Sequence, residues 1–256
     1  MRVPVIQQHR RRHRALRRRV LWTGGEFLVT AGVVLLLLVV QQLWWTNREA
    51  RQGAEHQVQA LERQWATQTP TPGAVSSGSP SVNTGTADGS SSRRSSTATS
   101  TATPHPSQAY AILIIPRLHL RVPIAEGVSK RNVLNKGYVG HYPGTQQPGQ
   151  AGNFALAGHR NTHGEPFRYL PRLRLKDTVQ VETSTAVYTY TVDKILPQTS
   201  AADSGVIRPI PRSTVKPSYG YSRPGYYITL TTCTPEFTSR YRMAVWGTLT
   251  STRPRA

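Results

Sequence analysis

Cysteine is nearly absent from this sequence: its 256 residues contain one, Cys233. A single cysteine excludes a disulfide framework within the chain and any zinc site built from several cysteine ligands. Acidic residues are also scarce, with 12 Asp and Glu against 32 Lys and Arg, which gives a net charge of +20. Such a basic protein suits an anionic partner, such as a membrane, a cell-wall polymer or a nucleic acid.

The shortage of acids also argues against a metal site. Calcium is held by several oxygen ligands, mostly carboxylates. From residue 110 onward the seven acidic side chains are scattered singly: Glu126, Glu165, Asp177, Glu182, Asp193, Asp203 and Glu236. The sequence therefore predicts no metal ion and no cofactor.

One long apolar run lies near the N-terminus. Residues 27–45 are uncharged and mostly apolar, and they number 19 (45 − 27 + 1). A helix needs roughly 20 such residues to cross a bilayer. Trp22, Trp44 and Trp45 bracket the run, as expected of aromatic side chains at the two interfaces. No small-residue cleavage site follows it, so we predict an uncleaved transmembrane helix over 20–45 rather than a signal peptide.

Positive charge precedes the apolar run. Eight arginines lie within the first 19 residues. By the positive-inside rule, residues 1–19 are predicted to form a cytoplasmic tail, and everything after the span is predicted to be extracellular. Setting the orientation and touching anionic lipid account for these arginines, so we predict no nucleic-acid partner.

The composition changes twice after the predicted span. Residues 46–66 are polar and free of proline, and they are predicted to form a helical stalk. Residues 67–109 are dominated by Thr, Ser, Pro, Gly and Ala, which bury too little apolar surface to offset the entropy of ordering. They are predicted to be a disordered linker, long enough to hold a domain over 110–256 some tens of ångströms from the membrane.

Short strand-like runs fill the chain from Tyr110 onward, and no long amphipathic helix pattern separates them. Seven runs are rich in β-branched and aromatic residues. They are residues 111–115, 118–125, 152–158, 178–183, 187–197, 226–232 and 241–249. Short helices are predicted near 130–135 and 166–170. This pattern predicts an all-β fold, a barrel or a sandwich.

Two side chains that could take part in catalysis lie at the ends of predicted strands. Cys233 follows the run 226–232, just before Pro235 stops that strand. His159 follows the run 152–158. Alone, a free cysteine is most often a small buried side chain. In an extracellular domain, a single cysteine with a histidine elsewhere in the chain is the pattern of a nucleophilic cysteine enzyme.

A cation beside the thiol would favour its reactive thiolate form. Arg240 and Arg242 both lie near the start of the next predicted strand. Arg242 is preferred because it begins the apolar strand run, whereas Arg240 is expected in the preceding loop. A guanidinium also supplies hydrogen bonds to an oxyanion. Three further histidines stay open as alternatives to His159: His119, His141 and His163.

Two stretches resemble those of sortases: LAGHRNTHGEPF (156–167) and TLTTCTPEFTSRYRMAVWG (229–247). The order TLTTC-x-P, with an arginine nine residues after the cysteine (242 − 233), is most similar to the class E sortases of actinobacteria. The resemblance covers nearly all of residues 110–250. It departs at His163, where related sequences often have an aromatic residue such as Tyr.

The resemblance implies a closed β-barrel of about eight strands, with Cys233 as nucleophile, His159 as acid and base, and Arg242 at the oxyanion. It implies a membrane-anchored transpeptidase that cleaves an LAxTG or LPxTG sorting signal between Thr and Gly through a thioester. The implied partners are secreted proteins with that signal, an amine of a peptidoglycan precursor, and the membrane through residues 20–45.

Two further residues are candidate substrate contacts. Thr232 precedes Cys233 and is placed either to bind the substrate backbone or to satisfy a group at the strand end. Tyr142 lies either along the substrate groove or as an aromatic cap on the core. The alternative function is an anchored β-barrel module that binds an anionic cell-wall polymer, in which Cys233 is structural.

Overall fold

The computed structural model describes residues 6–68 and 104–255, which form one long helix packed along a closed β-barrel. Helix α1 spans Ile6–Gln68. It begins inside the predicted cytoplasmic tail and continues through the predicted span and stalk. Most of the predicted linker, residues 69–103, lies outside the described residues.

Part of α1 is long and apolar enough to cross a membrane. All described side chains from Phe27 to Val40 are exposed. An apolar run of this length that packs against none of the other described residues requires apolar surroundings. Length and composition also fit a signal sequence, so the uncleaved anchor stays a prediction.

Eight strands form the barrel. Their bounds are β1 Ala109–Ile115, β2 Leu120–Glu126, β3 Val139–His141, β4 Gly152–Ala157, β5 Thr178–Glu182, β6 Ala186–Ser200, β7 Tyr226–Thr234 and β8 Tyr241–Pro254. The order around the barrel is β1-β2-β3-β4-β7-β8-β6-β5, and β5 closes the ring onto β1. The pairs β2–β3 and β4–β7 are parallel, and the other barrel pairs are antiparallel.

This architecture confirms the predicted fold class as a barrel, not a sandwich. All seven predicted strands are present, but β3 was not predicted. Its three residues, Val139–His141, include a glycine and are too few for a strand signal. Four 3₁₀ turns lie between strands: Pro116–Leu118, Leu134–Lys136, Leu170–Arg172 and Ser204–Ile207.

Apolar side chains from alternate strand positions fill the barrel. From the parallel pair β4 and β7, Phe154, Leu156, Ile228 and Leu230 are fully buried and belong to one core cluster. The tight packing of these strands fixes their register. That register determines which residues meet at the ends of the barrel.

The C-terminal part of α1 packs along the outside of the barrel. Five side chains, each at most 8% exposed, form a stripe with spacings of four, four, three and four: Ala50, Ala54, Val58, Leu61 and Trp65. Such spacings place them on one helix face. Val58, Leu61 and Trp65 cluster with Ile112 of β1. The described part of α1 thus joins the apolar run directly to the barrel surface, whereas the sequence analysis expected a flexible linker to separate them.

We predict that Leu61→Ala detaches this part of α1. Truncating a buried leucine costs about 2–5 kcal/mol, and Leu61 is 3% exposed against the barrel. Hydrogen exchange of residues 50–66 in the full chain should become faster, and the melting temperature should fall. The matched control is Gln64→Ala on the exposed face of the same turn. Equal protection in both variants would contradict the docking.

Candidate active site

Parallel pairing of β4 with β7 brings His159 and Cys233 to the same end of the barrel. The register aligns Ala157 with Thr231. One residue further on, the Gly158 N–H donates to the Thr231 carbonyl at 3.1 Å. Counted two residues past the end of β4, the same register aligns position 159 with position 233, so both residues lie at this end of the barrel.

Antiparallel pairing of β7 with β8 places Arg242 directly opposite Cys233. Opposite residues of such a pair have their side chains on the same face, with Cβ atoms roughly 5 Å apart. Arg240 precedes β8, and its exposed guanidinium lies over the Tyr241 ring at 5.2 Å. The structure therefore brings Arg242, and not Arg240, to the cysteine.

Cys233 lies on the outer face of the barrel wall. Side chains alternate along a strand, and the interior face of β7 is formed by Ile228 and Leu230. Thr231 and Cys233 therefore point outward. The thiol is half-buried, so it is sheltered yet open to a bound molecule.

The connection between β6 and β7, residues 201–225, covers this outer face. The Val206 carbonyl accepts hydrogen bonds from Thr229 Oγ1 at 3.3 Å and from Trp246 Nε1 at 3.0 Å. Val206 also packs with Trp246 in a small apolar cluster. The connection thus packs against β7 and β8 on the same barrel face as Cys233.

Asp203 holds this connection in shape. It is 4% exposed, and its carboxylate accepts hydrogen bonds from Thr199, Ser213 and Thr214. Burial raises the pKa of Asp203, but these hydrogen bonds outweigh it, and the pKa lies below its ordinary value. The carboxylate therefore stays charged, and the stability that it adds is lost as the pH falls through its folded pKa.

His159 is half-buried and neutral. Its Nε2 lies 2.9 Å from Asn135 Oδ1, and its ring stacks on His163 with centroids 5.4 Å apart. Burial, followed by the charges of His163 and Lys130, lowers the pKa of His159 to about 4. Because a carbonyl oxygen accepts, Nε2 bears the proton. Nδ1 is then the basic nitrogen at neutral pH.

Arg242 has hydrogen-bond donors to spare. Its Nη1 donates to the carbonyl oxygens of Ser239 at 2.8 Å and Tyr241 at 3.0 Å. These two bonds fix the guanidinium and use both Nη1 protons. Within residues 22–68 and 104–255, no acceptor binds its Nε or Nη2 groups. They are free to bind an oxyanion or a carbonyl at Cys233.

A family profile described as the sortase domain matches residues 113–250, which is more than half of the chain. The chain belongs to the sortase family. It is 51% identical to sortase SrtE1 of Streptomyces coelicolor over 154 residues, which are 58% of this chain and 42% of that protein. It is 37% identical to sortase SrtE2 of the same organism over 50% of this chain and 51% of that protein. The chain thus spans about half the length of these relatives.

Solved structures agree with this assignment. The crystal structure of sortase E1 from Streptomyces coelicolor, with a tripeptide in its active site, is 51% identical, with a TM-score of 0.56. The match covers 60% of this chain and 94% of that structure. Sortase E from Streptomyces avermitilis is 42% identical, with a TM-score of 0.52, over 59% of this chain and 93% of that structure. These similarities support class E.

In this sortase the structure adds two site residues that the sequence did not reveal. Asn135, in the turn Leu134–Lys136, orients His159 through Nε2. Arg160 donates from Nη1 to the Cys233 carbonyl at 3.3 Å and to Thr234 Oγ1 at 3.0 Å. Arg160 was detectable, because it follows His159 directly. Asn135 lies 24 residues before His159 and had no sequence signal.

Thr232 is buried, and its Oγ1 donates to the Gly158 carbonyl at 2.8 Å. Of the two roles considered for it, this contact fits the satisfaction of a strand-end group. It ties β7 to the residue before His159. We therefore assign it to positioning the sortase site.

Tyr142 reaches the outer face of β7. Its hydroxyl lies 3.1 Å from Thr231 Oγ1, which in turn donates to the Leu156 carbonyl at 3.0 Å. A threonine hydroxyl has one proton, so Tyr142 must be the donor to Thr231. The lone pairs of its oxygen stay open. Tyr142 is half-buried and contacts β7 at Thr231, two residues before Cys233.

The other histidines are placed differently. His141 is buried in β3, with Nδ1 2.6 Å from Glu126 Oε2 and Nε2 2.9 Å from Thr145 Oγ1. His119 is exposed beyond the turn Pro116–Leu118. His163 stacks on His159. The geometry thus favours His159 as the partner of Cys233.

Metal ligands do not cluster in the part of the chain that the structure describes. No three His, Cys, Asp or Glu side chains there lie close enough to hold a metal ion. The expectation of a metal-free sortase stays a prediction.

We predict that His163→Tyr raises the pKa of His159 above its value of about 4. Tyrosine keeps the ring stack and removes the positive charge that opposes protonation, while burial still holds the pKa below 6.5. In the native protein, stability falls as the pH drops from about 6.5 to about 4, because only the unfolded chain then binds the proton. In the variant, the pH range over which stability falls should be narrower, because the folded pKa lies closer to 6.5.

Titration of the histidine signals by NMR measures this shift. His119→Tyr is the matched control, since His119 is exposed and away from His159. An equal His159 pKa in both variants would show that His163 does not act on it.

Proposed function

We propose that this protein is a membrane-anchored cysteine transpeptidase. It cleaves an LAxTG- or LPxTG-type sorting signal between Thr and Gly and transfers the secreted protein to an amine of the cell wall. The observation that supports this most is the meeting of Cys233, His159 and Arg242 at one barrel end, on a half-buried outer face. The tripeptide in the active site of the Streptomyces coelicolor relative supports a peptide substrate. The signal sequence itself rests on the resemblance.

The first half of the reaction forms a thioester. The sulfur of Cys233 attacks the carbonyl carbon of the signal's threonine, and the thiol proton passes to neutral His159. The carbonyl oxygen becomes an oxyanion, which the free N–H groups of Arg242 stabilise. The C–N bond then breaks, and the imidazolium of His159 protonates the leaving glycine amine. The low pKa of His159 makes this proton transfer favourable.

The second half reverses these roles. The acceptor amine attacks the thioester carbonyl, and His159, neutral again, takes the proton of the amine. The tetrahedral intermediate expels the Cys233 thiolate, which regains a proton from the imidazolium. Each protein group ends in its starting state. No step requires a metal or a redox change.

Anchoring is part of the proposal. The apolar run within residues 20–45 crosses the membrane, and the arginine-rich tail before it stays in the cytoplasm. The exposed apolar side chains of this part of α1 support its placement in a bilayer. The barrel then lies outside the cell, where sorting signals and wall precursors are found.

The deciding experiment uses the full chain in phospholipid nanodiscs, with a quenched LAxTG peptide and triglycine as the amine. Wild type should give a ligated product and a thioester on Cys233, detected by mass spectrometry. Cys233→Ala should give neither, and His159→Ala should lose turnover at least about 10²-fold. Absence of product and thioester in wild type would overturn the proposal. Cleavage without ligation would indicate a hydrolase.

The same preparation tests the alternative, an anchored binding module for an anionic cell-wall polymer. Binding of teichoic acid by wild type and Cys233→Ala alike, without turnover, would favour that function. The basic surface is compatible with it. The open donors of Arg242 beside Cys233 are not required by it.

We predict that Arg242→Ala lowers kcat/KM about 10²–10³-fold, because oxyanion stabilisation of this type contributes that much. The matched control is Arg240→Ala, two residues away, whose guanidinium lies over Tyr241 instead. It should change kcat/KM by less than about threefold. Arg242→Lys keeps the charge but loses the fork of donors, so it should fall between them. Equal effects at the two arginines would contradict the assignment.

A further inference from the structure

The contacts of α1 with the barrel follow a fixed order along the helix. Those nearest Trp45 are polar and bind the loop that follows His159. Asn47 Nδ2 and Arg51 Nη2 each donate to the Glu165 carboxylate at 3.0 Å. Arg51 Nε also donates to the Gly164 carbonyl at 3.1 Å. Because Glu165 is buried, these hydrogen bonds are sheltered from solvent and hold the helix firmly against the loop.

The same helical turn contacts a second loop of the site. Gly137 adopts φ +78°, and a Cβ at this position would lie 2.7 Å from the backbone oxygen of Ala50. Only glycine allows this approach of the two backbones. Gly137 follows the turn that holds Asn135, the hydrogen-bond partner of His159. Both loops beside His159 thus rest on the start of the docked helix.

The far end of the docked helix meets the opposite end of the barrel. Arg255 lies over the Trp65 ring at 4.3 Å. Arg255 follows β8, whose first residues lie beside Cys233. The direction of α1 along the barrel is therefore fixed at both ends. Its membrane-proximal turn lies at the active-site end.

The distance from the apolar run to the site is short. Asn47 and Arg51 follow Trp45 by two and six residues, which are about 3 and 9 Å along a helix. The Arg48 guanidinium lies over Trp44 at 5.3 Å, as suits an interfacial pair. We propose that docked α1 holds the active-site end of the barrel against the bilayer surface and so fixes the height of Cys233 above the headgroups. This rests on the anchoring in the proposed function.

Charge complements this orientation. Lys130, Arg131 and Lys136 are exposed on the loop at the active-site end that contacts α1. An anionic leaflet attracts basic side chains near its surface by about 1 kcal/mol each. The barrel therefore presents cations to the headgroups beside the site.

An insertion tests whether α1 or the linker sets the height of the active site above the bilayer. Seven helix-forming residues (EAAAKQA) placed between Trp45 and Thr46 lengthen α1 by about 10 Å and turn it by nearly two full turns. The docked contacts from Asn47 onward are then preserved. The matched control places the same seven residues between Gly89 and Ser90.

The height of the active-site end above the bilayer is measured by fluorescence quenching, independently of enzyme activity. A fluorophore on Asn132→Cys, in a Cys233→Ala background, reports on the exposed loop at the active-site end. Vesicles of anionic lipid contain a headgroup-attached quencher. We expect strong quenching in the parent and in the linker control, and its loss in the helix insertion. Weak quenching in the parent, or loss in the linker control, would overturn the proposal.

Activity gives the second readout, in chains that retain Cys233. With a sorting-signal peptide fused to its own transmembrane segment, the helix insertion should lower turnover about tenfold, because the effective concentration of substrate at the site falls. The linker control should match wild type, and all three should turn over soluble peptide equally. Equal turnover of the anchored peptide by both insertions would overturn the inference. Absence of soluble-peptide turnover in all would instead contradict the proposed function.

Discussion

Parallel pairing of β4 with β7 is the constraint on which the site depends. The two strands are distant in sequence, and their register is locked by apolar side chains packed inside the barrel. A slip of one residue would turn every side chain of a strand to the other face. His159 would then lose its place beside Cys233. The Thr232 hydroxyl, bound to the Gly158 carbonyl, reinforces this register at the point where it matters for chemistry.

Around that pairing, burial and charge divide the chemical roles. Burial, with the charges of His163 and Lys130, keeps His159 neutral, so its Nδ1 has no proton before the reaction begins. Arg242 and Arg160 bring two guanidinium groups to the cysteine, but they differ in their bonds. Arg160 binds the backbone at Cys233, whereas Arg242 keeps donors open. The first therefore shapes the site, and the second is the one proposed to bind the reacting carbonyl.

Helix α1 links the site to the rest of the chain. The buried stripe from Ala50 to Trp65 is ordinary for an amphipathic helix. The turn of α1 at the start of this stripe also contacts the two loops next to His159. The same helix thus contains the apolar run, packs against the barrel and supports the two loops beside His159. A barrel lacking residues 46–66 would expose the surface that these side chains cover. The barrel is therefore expected to be less stable without this part of α1 than in the full chain.

The sequence by itself determined seven of the eight strands and the apolar run, and it selected Cys233, His159 and Arg242 as candidate site residues, because each is a local pattern or a motif. The stripe from Ala50 to Trp65 was also present as spacings of three and four, although the segment was interpreted only as a stalk. Strand β3 was too short to give a signal. Tertiary structure alone decided that Asn135 orients His159 and that α1 lies along the barrel. Both depend on contacts between residues far apart in the chain, which no local pattern records.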